Sequence, residues 1–302
     1  MPPSATELDD MTINYTKLAE ILMSYLTVGQ ENSGTIDLYY EDLGSGQPVV
    51  LIHGFPLNGH SWEKQVSVLL KAGYRVITYD RRGFGNSSQP SIGYDYETFT
   101  DDLHKLITKL DLRDMALIGF SMGCGEVTHY LGKYGSERVS KAVLMAPVPP
   151  FLLKTADNPE GVDRSIFSDI EQSIVADRPS YLSAFFTQFY NVDVFGSKSD
   201  SVRITDDAIR LSWQVAAGAS AQATLDCVAS WLTDFRDDLP RIDVPTLIIQ
   251  GDADRILPIS STGNRLPKLI KDSRLVVIPD GPHAINWTHA DQVNPALLDF
   301  LK

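Results

Sequence analysis

The pentapeptide Gly119-Phe120-Ser121-Met122-Gly123 constrains the fold more than any other stretch of the chain. It follows the apolar run Met115-Ala116-Leu117-Ile118 and precedes residues 125–131, which read as helix. Between a strand and a helix, G-x-S-x-G reads as a sharp, strained turn for which the glycines leave room. Such a turn pushes the serine side chain out at the top of a sheet and faces the next backbone N–H toward the same point. Serine is a weak nucleophile until a base takes its proton. The turn therefore has chemical meaning only if a base and its orienting acid lie elsewhere in the chain.

The rest of the chain keeps the same strand–helix rhythm. Residues 49–52, 74–79, 115–118, 142–145, 246–250 and 275–278 read as core strands. Residues 34–42, with Ile36, Leu38 and Tyr40 alternating, read as an antiparallel edge strand. Residues 62–72, 96–110, 123–133, 260–270 and 294–301 read as intervening helices. This alternation predicts an α/β fold, with a mostly parallel central sheet covered by helices on both faces. The rhythm stops between Pro147 and Arg241, where aromatics, Ser and Asp replace strand patterns. The expectation is a helical cap, residues 147–241, inserted into a core formed by residues 27–146 and 242–302. Residues 1–26 form an N-terminal extension. Within it Leu18, Ile21, Leu22, Tyr25 and Leu26 fall at helical spacing and predict an amphipathic stripe.

Partners for Ser121 follow downstream. The strand over 246–250 runs into Gly251-Asp252-Ala253-Asp254, and the strand over 275–278 is followed by Gly281-Pro282-His283. In this reading Ser121 attacks a carbonyl, and His283 takes its proton and returns it to the leaving group. A loop aspartate holds the imidazole in the useful tautomer. Spacing alone leaves Asp252 and Asp254 both open. Val49-Val50-Leu51-Ile52 leads into His53-Gly54-Phe55-Pro56, so the backbone N–H groups of Phe55 and Met122 are candidates for an oxyanion hole. Each signal alone is weak, since Gly-Asp-x-Asp is often a plain turn. Together they stand at the C-terminal ends of apparent strands, where open α/β sheets bind ligands.

The order Ser, Asp, His resembles that of the α/β-hydrolase superfamily. Longer stretches are similar to its cofactor-free bacterial haloperoxidases, also called perhydrolases or arylesterases, and to the closely related γ-lactamases. They are residues 53–62 (HGFPLNGHSW), 79–88 (YDRRGFGNSS), 119–123, 150–155 (PFLLKT), 251–255 (GDADR), 282–284 (PHA) and 287–290 (WTHA). The resemblance spans residues 27–302. It implies an α/β-hydrolase fold and a catalytic set of Ser121, Asp254 and His283, which chooses Asp254 over Asp252. It implies an acyl-enzyme without a cofactor, released by water as an acid or by hydrogen peroxide as a peracid that oxidises halide. Lactam opening is the alternative implied by the γ-lactamases. It also implies a homo-oligomer, a trimer or higher. Ser121 stands where haloalkane dehalogenases and epoxide hydrolases use aspartate, which argues against those reactions. The intact triad argues against a non-catalytic binding protein.

Composition narrows the partners. The formal net charge of −13 disfavours nucleic acid and anionic membranes, leaving a small-molecule substrate. None of the six histidines forms H-E-x-x-H, and no Cys/His pair has zinc spacing, so no metal is expected. With two cysteines and no apolar leader in residues 1–10, a reducing cytoplasm is the expected compartment. Cys124 reads as a packing residue, His53 as a structural hydrogen-bonder and His289 as a surface or helix-start residue. Phe55, Met122, Phe151, Phe186, Trp231 and Ile256 are the expected pocket lining, apolar enough for small acyl groups. Pro56, with fixed φ and no N–H, either holds a local carbonyl for bound peroxide or only shapes the loop.

Overall fold

A computed structural model describes residues 24–302. Eight strands form one sheet in the order β1-β2-β4-β3-β5-β6-β7-β8. They are β1 (Tyr25–Glu31), β2 (Gly34–Leu43), β3 (Pro48–Ile52), β4 (Arg75–Tyr79), β5 (Met115–Phe120), β6 (Val139–Met145), β7 (Thr246–Gly251) and β8 (Ser273–Ile278). β1 and β2 are antiparallel, as are β2 and β4; every pairing from β4 across to β8 is parallel. Every residue of β5 and β7 is buried, which is why these strands read as unbroken apolar runs rather than alternating ones.

Helices cover both faces. Those of the core are α1 (Glu63–Lys71), α2 (Tyr96–Lys109), α3 (Gly123–Tyr134), α8 (Ile285–Thr288) and α9 (Ala290–Leu301). Val50, Ile52, Ile77, Leu117 and Leu144 point to one face and pack with Phe99, Leu103 and Leu106 of α2 and Val127 and Leu131 of α3. Their neighbours Val49, Leu51, Val76, Ile118 and Val143 point to the other and pack with Leu69 of α1 and Val293 and Leu297 of α9. The period of two along each strand thus feeds two separate cores. α2 starts where the Asp95 carboxylate accepts the Thr98 N–H at 2.8 Å, an N-cap bond that satisfies an otherwise orphan donor.

Between β6 and β7 the chain holds α4 (Arg164–Phe189), α5 (Val192–Phe195), α6 (Asp206–Ala217) and α7 (Ala221–Ser230), with no named strand. α4 is two helices in series. Asp177 leaves helical geometry (φ −159°, ψ 85°), and its carboxylate accepts the Ser180 N–H at 3.1 Å, capping the second half. Pro179 explains the break: it lacks an N–H and crowds the preceding turn.

Three expectations need correction. β2 is not the sheet edge, because β1 pairs outside it. Tyr25 and Leu26 belong to that strand and not to a helix, while Leu18, Ile21 and Leu22 lie outside the described residues. Residues 260–270 form turns and one short 3-10 helix (Leu266–Lys268) instead of an α-helix. Gln250 at the end of β7 reaches into that segment, its Oε1 accepting the Gly263 N–H at 3.0 Å, and Pro267 has no N–H to carry a helix onward.

Candidate active site

Four loops meet at the C-terminal edge of the parallel strands. The turn after β5 holds Ser121 at φ 55°, left-handed backbone that a non-glycine residue adopts at a cost. Its N–H donates to the Met145 carbonyl at 2.8 Å and its carbonyl accepts the Cys124 N–H at 3.0 Å, so the strain is held from both sides. The flanking glycines are required by space. A Cβ on Gly119 would lie 2.5 Å from the Gly123 carbonyl oxygen, and one on Gly123 would lie 2.4 Å from the Ile52 carbonyl oxygen. The strand end, the turn and the first residue of α3 therefore touch backbone to backbone.

Ser121, His283 and Asp254 form a continuous hydrogen-bonded chain. Ser121 Oγ lies 2.8 Å from His283 Nε2, and His283 Nδ1 lies 2.8 Å from Asp254 Oδ2. The second oxygen of Asp254, Oδ1, accepts the N–H groups of Ile256 and Leu257, both at 2.9 Å. With both carboxylate oxygens engaged, the proton on His283 belongs on Nδ1, which leaves Nε2 free to accept from Ser121. Phe120 and Phe189 close on the imidazole, each with ring centroids 5.2 Å away. Asp252 is elsewhere: exposed, it accepts the Asp280 N–H at 2.7 Å and ties the β7 loop to the β8 loop.

The backbone N–H groups of Phe55 and Met122 have no acceptor among the described residues, although both residues are buried. Buried amides without partners are uncommon. Here they flank the serine from two different loops, the arrangement an oxyanion hole needs. His53 is not a second base. The Arg81 backbone N–H donates to its Nε2 at 3.0 Å, and its Nδ1 donates to the Gly54 carbonyl at 2.9 Å. Burial, reinforced by the Arg81 charge, holds its pKa well below the usual 6.5. Burial pushes the Cys124 thiol well up, and its sulfur donates to the Gly119 and Met145 carbonyls, so it packs the turn as an unreactive group.

A cavity of about 320 Å³ opens over Ser121. Its walls include Phe55, Trp231 and Ile256, as expected, together with Leu152, Ile170, Tyr181 and Phe185. Pro56, Phe151, Phe186 and Met122 do not line it. Pro56 is buried in the turn closed by the Leu57 N–H to the Gly54 carbonyl. Phe151 lies under the Arg236 guanidinium, 5.0 Å from its ring. Phe186 is fully buried against Phe189 and Tyr190 on the core side of α4. A larger groove of about 680 Å³ runs between Val66 and Leu70 of α1 and Leu211 and Val215 of α6. Ser121 is not among its walls, so the smaller cavity is the one the chemistry selects.

Some contributors carry no sequence motif. Gln250 Nε2 donates to Asp254 Oδ2 at 3.3 Å and to the Leu257 carbonyl at 2.7 Å, bracing the acid loop. Asn191 in the cap donates to the Ala253 carbonyl at 2.9 Å. His289 is buried at the start of α9, a helix-start residue but not a surface one. Among the described residues no three His, Cys, Asp or Glu side chains are grouped to hold a metal ion, and no helix is long and apolar enough to cross a membrane.

A mostly parallel sheet with Ser, His and Asp gathered at its C-terminal edge is the architecture of an α/β hydrolase. The chain belongs to that family: the family model described as alpha/beta hydrolase fold matches residues 47–290. A Synechocystis sp. protein with the provisional name non-heme chloroperoxidase is 75% identical over 280 residues, spanning 93% of this chain and 100% of that protein. A bifunctional esterase/perhydrolase of Acinetobacter calcoaceticus is 32% identical over 270 residues, spanning 88% of this chain and 96% of its own. The crystal structure of a bromoperoxidase from Bacillus anthracis superposes with a TM-score of 0.87 at 45% identity, covering 92% of this chain and 99% of that one. The protein is an enzyme of this hydrolase class.

Proposed function

We propose that the protein is a serine esterase and perhydrolase that acts on small carboxylic esters through an acyl-enzyme on Ser121. The observation that carries this reading is the Ser121–His283–Asp254 chain, with both links at 2.8 Å, beneath an apolar cavity. Ser121 Oγ attacks the ester carbonyl while His283 Nε2 takes its proton. The carbonyl oxygen gains negative charge and is met by the N–H groups of Phe55 and Met122. Collapse of the tetrahedral intermediate breaks the C–O bond, and His283 gives the proton to the departing alcohol.

The second half repeats these steps with a new nucleophile. Water adds to the acyl carbonyl and leaves a carboxylic acid; hydrogen peroxide adds and leaves a peracid. In both cases His283 moves the proton and Ser121 is regenerated. The peracid then transfers oxygen to a halide in solution, which accounts for a haloperoxidase activity without a redox centre. The esterase/perhydrolase and bromoperoxidase names of the relatives support both branches. The buried Asp254 keeps the imidazole oriented throughout.

A fluorophosphonate probe tests the nucleophile. It should add mass to the peptide carrying Ser121 and abolish hydrolysis of p-nitrophenyl acetate. Ser121→Ala should take no label and lose about 10⁴-fold or more in kcat. Acetate plus peroxide and a bicyclic lactam, assayed beside the ester, separate the perhydrolase branch from amide opening. Label on another residue, or an active Ser121→Ala, would overturn the assignment.

A further inference from the structure

The two oxyanion donors belong to segments far apart in sequence, and one buried cluster joins them. Arg81 follows β4. Its Nη2 donates to the His53 carbonyl at 2.9 Å and its backbone N–H to His53 Nε2, so it grips the Phe55 loop twice. Its Nε donates to Glu126 Oε1 at 2.5 Å, and Glu126 sits on α3 one turn after Met122. Tyr79 OH donates to the other oxygen of Glu126. Tyr96 OH donates to the Met122 carbonyl at 2.9 Å, pinning the turn from the same side. Arg81 and Glu126 are both at most 1% exposed.

This cluster is a poor device for stability. A buried ion pair costs desolvation that its attraction does little more than offset, and apolar replacements are often as stable. One guanidinium nitrogen, Arg81 Nη1, also has no hydrogen-bond partner among the described residues, which adds to that cost. What the pair supplies is geometry. It fixes the distance between the loop that carries the Phe55 N–H and the helix that carries the Met122 N–H. A hydrogen-bonded network in a low-dielectric interior is stiff.

We propose that Arg81 and Glu126 are positioning residues that set the width of the oxyanion hole. The inference rests on the acyl-enzyme reading above. Neither side chain touches substrate. Both act through backbone: Arg81 through the His53 carbonyl, Glu126 through the first turn of α3. The relation is specific to the transition state, because the hole is filled by an oxyanion and not by the ground-state ester.

The experiment compares the parent with Tyr79→Phe/Arg81→Met/Glu126→Leu, which swaps the cluster for apolar side chains. The expected result is a Tm close to that of the parent, KM within about twofold, and kcat lower by about 10- to 100-fold, the size that displacement by up to an ångström produces. A trifluoromethyl ketone, whose adduct places an oxyanion in the hole, should lose affinity by the factor lost in kcat/KM. The pH midpoint of kcat/KM should stay put, since His283 and Asp254 are untouched. If the triple variant does not fold, Tyr79→Phe removes one hydroxyl only, loosens Glu126 and should show the same pattern at a smaller size. Parent-like kcat and ketone affinity in a folded variant overturn the inference. Failure of the parent to label at Ser121 overturns the acyl-enzyme reading instead, so the two failures are distinct.

Discussion

Asp252 and Asp254 stand two residues apart on one loop and do different things. Asp254 is buried and accepts from His283, Ile256 and Leu257. Asp252 is exposed and holds the Asp280 N–H. Asp254→Asn should therefore lower kcat by about 10⁴-fold with the fold intact, because the imidazole loses its tautomer. Asp252→Asn should stay within about threefold, as it keeps an acceptor oxygen for the turn. Kinetics on both variants, with circular dichroism to confirm folding, check the ranking; the reverse order would exchange their roles. The serine and histidine were legible because short motifs after apolar runs carry them. The choice of aspartate was not legible from spacing, since Gly-Asp-x-Asp satisfies the same turn chemistry with either residue. Arg81 and Glu126 were not legible at all: 45 residues separate them, and only the fold brings them together.

At the scale of elements, α4 shows what a sequence leaves open. Its aromatics Phe185, Phe186 and Phe189 stand close together in the sequence, yet their division depends on helix phase and on the break at Asp177. Tyr181, Ala184, Phe185 and Gln188 face the cavity over Ser121, while Phe186 and Phe189 face the core. The spacing of i, i+3, i+4 and i+7 defines that face, but only after the helix is docked does the face have a neighbour. Phe186→Ala should cost about 3–5 kcal/mol of stability by leaving a buried void. Phe185→Ala should change Tm far less and instead raise the relative kcat/KM for bulkier acyl groups. Thermal melts and an acyl-chain series on the two variants test this, and matched effects would show that the helix is docked in another phase. The same dependence on docking hid β1, whose short alternating pattern has meaning only once β2 is beside it. The parallel strands were legible because burial on both faces leaves them no polar positions.

Part of the whole molecule's response to pH comes from histidines outside the Ser121–His283–Asp254 chain. Burial lowers the pKa of His289 below its usual 6.5, with the Arg203 charge adding to the effect. The unfolded chain therefore binds this proton more readily than the folded one. The associated stability is present above about pH 6.5 and is lost as pH falls through the lower folded value. His129 behaves in the opposite sense. Its hydrogen bond to Asp238, and the second to Glu97, raise its pKa above 6.5. That stability is fully present below about pH 6.5 and is lost as pH rises through the raised value. His129 links α2, α3 and the segment leading into β7, whereas His289 holds the start of α9 with its ring edge-on to Phe195, 5.3 Å away. Two single variants should separate these contributions. The Tm deficit of His129→Gln relative to the parent should grow as pH is lowered from about 9 to 6. The deficit of His289→Gln should grow as pH is raised from about 5 to 7. Carboxylates with lowered pKa values, such as Glu97 and Asp101, release their stability further down the acid side, below their usual 4.5 and 3.8, and leave this window clear. Scanning calorimetry across the range gives the two slopes. Slopes of the same sign would mean that one of these histidines is in the wrong environment, and with it the packing of α3 against residue 238 or of α9 against α5.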